Sequence, residues 1–572
     1  MLMFNSFRNN RGQSTDVLVV ALGLFMLLGA GRGVANSSQI ELFVDAATGS
    51  DTNSGTAGRP LKTLKQALSL AMRSRALGTS TIITVSPGVY REAINLQGKN
   101  SQTAPIAIQS DNTGEVIISG SDRWSQWQAL PNNPSIVFQS WPYRWGTCVV
   151  PAGWPTITPL GLRRELVFVE DIPMVQVLDQ QAMHEGTFFV DENVGQILLW
   201  PPNGVNISTA DVEVGIRPTL LQTQNVSNLS VHGLTFEHAT SCISTNPSGA
   251  VMISGADSIS IADSVFRWNN WMGLQLFSLT NIQVQNSAAV NNGELGISGY
   301  RLKDGLISNV ELSYNDWRSA MGNLWTWEPS GAKFVGAHTV SLQFVQVVAN
   351  QGRGLWFDTD NSGVVISNSV MAANVSGGLD IEASMGPVTL QDSTLCGDLT
   401  DGIQGNNAEH VTLRNNQIFG NQKSQLEVLV TPVPRIAVNW ETGITFAALS
   451  EFWNISRNTI VGTDTNQLLY QDTLLAGDPG AGPFLTTLVS DYNNWYQPNV
   501  ALPFHFFLPE SSETNSPADP SEQTATLSGW RTVTKTDQHS TAAAPAVGLT
   551  CPSGTMKNRS GLATSGKGPG FR

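Results

Sequence analysis

The sequence predicts an all-β protein whose core is a right-handed parallel β-helix. Three observations lead there: glycines recurring every 23 to 24 residues, apolar residues alternating in short stretches, and a composition rich in turn-forming residues but only 13% charged. Gly249, Gly273 and Gly296 open three segments spaced by 24 and 23 residues. Gly331, Gly354, Gly378 and Gly402 open four more, spaced by 23, 24 and 24. The single long interval, 35 residues from Gly296 to Gly331, leaves a loop over 317–330 inserted into one coil.

Within each unit the alternation, as in Leu355/Phe357 and Val364-Val365-Ile366, has the period of strands and not the 3.6 of helices. A coil of this length cannot bury its inner face alone, so stacking of neighbours must supply one continuous core. The leucine-rich repeat is the competing solenoid, and its signature is absent. Asn270, Asn292, Asn315, Asn350 and Asn374 recur shortly before the next glycine. Their tolerance of left-handed backbone marks them as corner residues.

The remaining elements follow in chain order. Arg8 and Arg11, the apolar run from Val17 to Ala30 and the small residues Gly33-Val34-Ala35 read as a cleavable leader over 1–35, and hence as export to the periplasm or the medium. The run is short for a membrane span, which needs ~20 residues, so no membrane association is expected after cleavage. Residues 36–123 hold an N-terminal cap and the first coils. Leu64, Ala67, Leu68, Ala71 and Met72 lie at helical spacing and predict an amphipathic capping helix over 63–75. The Trp- and Pro-rich region 124–215 reads as an inserted β subdomain, with strands near 165–169, 186–190 and 196–200. The main coils occupy 216–475. C-terminal coils and a closing strap, with Ser528-Gly529-Trp530 and Asp537 to Ser540, occupy 476–550, and 551–572 reads as a disordered tail.

A net charge of −14 argues against nucleic acid, whose phosphates require a basic surface. Cys148, Cys242, Cys396 and Cys551 are too widely spaced for a zinc or thioredoxin-like motif. They permit disulfides without fixing a pairing, and buried small hydrophobes are the simpler account. The seven histidines show no ligand spacing, so no metal is expected.

Alternation also decides which side chains leave the coil. In Gly354-Leu355-Trp356-Phe357-Asp358, Leu355 and Phe357 point inward, so Trp356 and Asp358 point outward. In Gly378-Leu379-Asp380-Ile381-Glu382 the same logic exposes Asp380 and Glu382. Asp358 and Glu382, 24 residues apart, therefore take equivalent positions on successive coils, ~4.8 Å from one another in strand spacing. That is near the ~5 to 5.5 Å between the carboxyl groups of retaining glycosidases. Phe277, Tyr300, Val335, Asp358, Glu382 and Asn406 share one column. Gln275, Ser298, Lys333, Trp356, Asp380 and Gln404 share the next. The loop over 317–330 brings Trp325, Trp327 and Glu328 to one end. The candidate catalytic residues are thus Asp358, Glu382 and Asp380, and the candidate substrate-binding residues are Trp356, Lys333, Tyr300, Trp325, Trp327, Asn406 and Gln404.

Two resemblances add to this reading. Phe43-Val44-Asp45, Gly49-Ser50-Asp51, Gly55-Thr56, Pro60 to Leu64 and Pro87-Gly88-Val89-Tyr90 resemble the opening of secreted pectate-lyase-like β-helix proteins, which implies the pectin-lyase fold. Gly354 to Asp358, followed by Glu382 and Met385-Gly386-Pro387, is similar to the segment carrying both catalytic acids in β-xylosidases of glycoside hydrolase family 120. That resemblance implies Asp358 as nucleophile and Glu382 as general acid/base. The expectation is a secreted, monomeric retaining glycoside hydrolase that needs no cofactor and acts on a plant or microbial polysaccharide or oligosaccharide. A polysaccharide lyase, with Ca²⁺ on Asp358, Asp380 and Glu382 and Lys333 as base, is one alternative. A non-enzymatic glycan-binding or surface protein with a merely solvated acidic face is the other.

Overall fold

The computed structural model describes residues 38–325, 327–475, 481–508, 522–546 and 548–552. The expected leader and the tail beyond Pro552 lie outside them. Among the described residues no helix is long and apolar enough to cross a membrane. The chain winds as a right-handed parallel β-helix, with a main parallel sheet flanked by further parallel strands at the third side of each coil.

Period and alternation translate directly into this architecture. One coil runs through Arg353–Asp358, Val364–Ser367 and Val370–Ala372 before the next begins at Leu379–Ser384. In the earlier coils the first two strands merge into single bent strands, Gly249–Ala262, Met272–Gln285, Ile297–Ser308 and Ser330–Gln343. Register is kept from coil to coil, so Leu274, Ile297, Ala332, Leu355, Leu379, Ile403 and Leu426 form one inward column. All seven are buried. In the next inward column Phe334 and Phe357 stack with centroids 5.1 Å apart. Gly299 makes room for them, because a Cβ there would lie 2.5 Å from the Phe334 ring.

The recurring asparagines do something other than turn the corner. Left-handed backbone falls on the residue before Asn269, Asn292, Asn315, Asn350 and Asn374, at Trp268, Asn291, Tyr314, Ala349 and Ala373. The asparagines themselves are fully buried, and their amides form a ladder. Asn269 donates to Asn292 at 3.0 Å, Asn292 to Asn315 at 3.1 Å, Asn315 to Asn350 at 3.0 Å and Asn350 to Asn374 at 2.9 Å. Each carboxamide oxygen also accepts a backbone N–H from the preceding coil, which satisfies groups that a turn would otherwise strand in the core. Asn270 stands beside the ladder and not in it.

The ends are closed by different devices. Leu64–Ala76 is a helix whose N-cap Thr63 accepts from Gln66, while the Glu92 carboxylate accepts from the Leu64 and Lys65 amides at 2.9 and 2.8 Å. Leu64, Ala67, Leu68 and Ala71 face the core. At the other end the expected strap contains a helix, Leu527–Thr534, whose Trp530 is buried against Tyr470, Phe504 and Phe506.

Residues 121–215 leave the coil path and form two small sheets. Gln128–Leu130, Asn133–Ser140, Val175–Val177, Thr187–Asp191 and Gln196–Trp200 make the first. Ser121–Arg123, Val167–Val169, Ile172–Pro173 and Val212–Gly215 make the second. They enclose a core of their own that includes Val137, Trp141, Phe188, Ile197 and Leu199. The fully buried Arg318 fastens this unit to the coils, bonding Gln176 at 3.0 Å, the Glu165 carbonyl at 3.0 Å and Asn270 at 2.9 Å. The cysteines are not free hydrophobes: Cys148 pairs with Cys242 and Cys396 with Cys551. The first bond ties the inserted unit to a coil. The second holds the expected tail at its first residue.

Candidate functional site

The outward columns occur as the alternation requires. Phe277, Tyr300, Val335, Asp358, Glu382 and Asn406 are strand partners in succession, as are Gln275, Ser298, Lys333, Trp356, Asp380 and Gln404. Asp358 and Glu382 are therefore nearest neighbours across two parallel strands, with side chains 18% and 14% exposed.

Each carboxylate is held by a distinct set of donors. Asp358 lies 3.0 Å from Lys333 Nζ and accepts from Thr359 Oγ1 at 2.7 Å. Glu382 accepts from Trp356 Nε1 at 3.2 Å and from Arg435, which approaches on its other oxygen. Lys333 also donates to the Trp327 carbonyl and packs 3.5 Å from the centroid of the Trp356 ring.

Asp380 departs from its expected exposure. It is 1% exposed, because Arg353 lies across it with Nε 2.7 Å from Oδ2, and Asn406 donates to its other oxygen at 3.3 Å. Burial pushes the Asp380 carboxyl up to about 7; Arg353 opposes the rise, and Glu382 and Asp358 add to it. Asp380 is thus a covered carboxyl group beside the pair, faced by Arg353, not a solvated member of it. Trp356 is likewise not an open sugar platform. It is 5% exposed, and its ring is packed by Lys333 and by the Arg353 guanidinium at 4.3 Å.

Gln404 accepts from Arg353 at 3.3 Å and donates to Glu427 at 3.4 Å, so it belongs to the support beneath Asp380. Tyr300 stands two coils before Asp358 and stacks on Phe277, with centroids 4.8 Å apart. Trp325 and Trp327 are 38% and 47% exposed. Trp327 stacks on Trp154 of the inserted unit at 5.9 Å. The segment expected to be a loop begins with a short helix, Trp317–Met321, which carries the anchoring Arg318.

Behind Lys333 sits a second acidic group. Burial, then the neighbouring Glu328, holds the Glu294 carboxyl well above its usual range, and burial also raises Glu328.

Three residues were not foreseen: Arg353, Arg435 and Glu294. Arg353 precedes the glycine that opens its coil, outside the outward positions of the alternation. Arg435 lies on a hairpin of Arg435–Val438 and Thr445–Ala448 that leaves the coil path and reaches back over the face. This hairpin was not foreseen either; the signal that could have found it is the pair of short apolar runs around Asn439 to Gly443, a turn-rich centre.

Asp358, Glu382 and Asp380 each have a basic side chain as neighbour, Lys333, Arg435 and Arg353 respectively. Among the described residues no group of three or more His, Cys, Asp or Glu side chains is arranged to hold a metal ion.

Residues 248–418 match the family model described as a right handed beta helix region. A solved complex of XylC with xylose is similar with a TM-score of 0.61 at 16% identity, covering 74% of this chain and 76% of that one. A solved glycoside hydrolase is similar with a TM-score of 0.50 at 13% identity, covering 80% and 96%. None of the curated proteins matches the chain in sequence. At these identities the likeness is one of fold.

Proposed function

We propose that this chain is an exported, carbohydrate-active β-helix enzyme, and specifically a retaining glycoside hydrolase that uses Asp358 and Glu382. The observation that carries the reading is the register of these two residues on adjacent strands, with the buried Asp380 one column away. In the double displacement, Asp358 attacks the anomeric carbon as Glu382 protonates the departing glycosidic oxygen. Glu382 then takes a proton from water, which attacks the same carbon and releases Asp358. Lys333 and Thr359 hold Asp358 in place, and Trp356 and Arg435 orient Glu382. The fold likeness to XylC, solved with xylose, makes β-xylosides the first substrates to offer. The Ca²⁺-dependent lyase reading is weaker, because each carboxylate it would recruit already faces a lysine or arginine.

Purified protein is offered a panel of aryl β-glycosides, with the anomer of the first product read by NMR. Retention of configuration, insensitivity to chelator and a loss of ~100-fold or more in Asp358→Ala and Glu382→Ala are expected. Unsaturated, ultraviolet-absorbing products that vanish with chelator would replace the hydrolase with the lyase. Glycan retention without turnover would replace both with a binding protein.

A further inference from the structure

The column that carries the carboxyl pair continues toward the N-terminus, from Asp358 through Val335, Tyr300, Phe277 and Ser254 to Gln224. Side-chain size changes abruptly along it. Ser254 and Gly255 are small where the next coil presents Phe277, and the missing bulk leaves a hollow of about 370 Å³. Gln222, Gln224, Asn225, Asn246, Met252 and Phe277 line it, and every lining residue is uncharged. Phe277 is 37% exposed, and Tyr300 stacks behind it with the planes 16° apart. The Arg301 guanidinium lies 5.1 Å from the Tyr300 ring centroid, so the aromatic pair is braced from beneath.

This is the chemistry of a sugar site. An aromatic ring takes the C–H face of a pyranose, and side-chain amides offer both donors and acceptors to its hydroxyls. The lack of a cation leaves nothing to compensate a buried uronate carboxylate, so the lining selects an uncharged sugar. The hollow lies three to five coils from Asp358, roughly 14–24 Å at ~4.8 Å per strand, and half-exposed Tyr300 and Val335 border the way between.

We infer that this hollow is a distal subsite holding one neutral pyranose of a longer glycan chain, whose reacting linkage lies at Asp358 and Glu382. The inference rests on the glycosidase reading for the position of the reacting linkage, and it names the substrate class: neutral chains several sugars long, laid along the helix axis.

The test is affinity electrophoresis of the whole protein in gels containing arabinoxylan, mixed-linkage β-glucan or galactomannan, with polygalacturonate as the anionic control. Retardation by at least one neutral polymer is expected, retained in Asp358→Asn and weakened roughly three- to tenfold in Phe277→Ala, the scale of one aromatic contact. Gln224→Ala, at an exposed position, gives a second variant free of folding effects, and unchanged melting temperatures qualify both. No retardation by any neutral polymer, equal retardation by polygalacturonate, or wild-type binding by Phe277→Ala and Gln224→Ala overturns the subsite. Failure of the two readings is distinguishable. Phe277-dependent retardation without turnover of any glycoside leaves the subsite standing and removes the hydrolase. Turnover with wild-type retardation in both variants does the reverse.

Discussion

At the scale of single residues, the site turns on which carboxyl group keeps its proton. Asp380 is held at about 7 by burial, against the pull of Arg353. Its folded-state pKa is above its unfolded value, so the neutral form is the one favoured by the fold: its contribution to stability is complete below about 4 and is lost as pH rises through about 7. Ionisation would add a negative charge beside Glu382 and Asp358. Turnover should therefore show an alkaline limb near neutrality. In Asp380→Asn, which fixes the neutral shape, that limb should move to higher pH; a pH profile of kcat/KM measures it, and an unmoved limb would assign the ionisation to another group. The columns themselves were readable in the sequence, because strand period and coil length alone determine which Cα atoms become partners. What covers them was not. Arg353 reaches Asp380 from the residue before the coil glycine, and Trp356 is capped by flexible cations, so neither follows from alternation.

At the scale of elements, two excursions reach the carboxyl pair, one through Lys333 and one through Arg435. One is the segment 317–330, fixed through Arg318 and through Trp327 on Trp154. The other is the hairpin Arg435–Val438 and Thr445–Ala448, whose turn is docked on the coils. Trp440 donates to the Gly336 carbonyl at 2.9 Å and its backbone N–H donates to Asp360 at 2.7 Å. A Cβ at Gly336, where φ is +69°, would sit 2.7 Å from the Trp440 ring. Glu441 lies between Lys303 and His338 Nδ1, while His338 Nε2 is 2.9 Å from the Asp360 carbonyl.

Both imidazole nitrogens thus face acceptors, which the doubly protonated ring satisfies. Burial lowers the His338 pKa, but Asp360 and Glu441 outweigh it and the net shift is upward; Lys303 and then His338 hold Glu441 below its usual value. The latch is therefore charged on both sides in a window bounded below by the depressed Glu441 pKa and above by the raised His338 pKa. It weakens as pH climbs past the upper bound. Limited proteolysis should cut the hairpin faster at pH 9 than at pH 6, and Glu441→Gln should erase that difference. The hairpin escaped the periodic reading because its 435–448 interval interrupts the repeat.

Across the whole molecule, stability comes from stacking coil on coil, and the buried asparagine ladder is one of its continuous threads. Asn350→Ala removes the acceptor of two donors from Asn315 and a side chain bonded to Asn374 and to the Leu312 carbonyl, and should cost about 2–4 kcal/mol in a denaturant titration. The disulfides close much longer loops, with partners 94 and 155 residues apart. Cys148→Ser should lower the stability of the inserted unit and its junction by about 2–5 kcal/mol, read as a fall in melting temperature that dithiothreitol reproduces in the parent. Solenoid type, coil boundaries and the capping helix were legible because each is a local pattern repeated or placed at an end. The pairing of the cysteines was not, since residues that far apart in sequence meet only once the winding is complete.

The long 35-residue interval shows that this winding tolerates detours at its corners without disturbing the strands on either side. The strands that carry Asp358 and Glu382 and the excursions beside them are consequently independent parts. A lineage of such proteins can lengthen, trim or exchange those excursions while the two acids keep their station one winding apart.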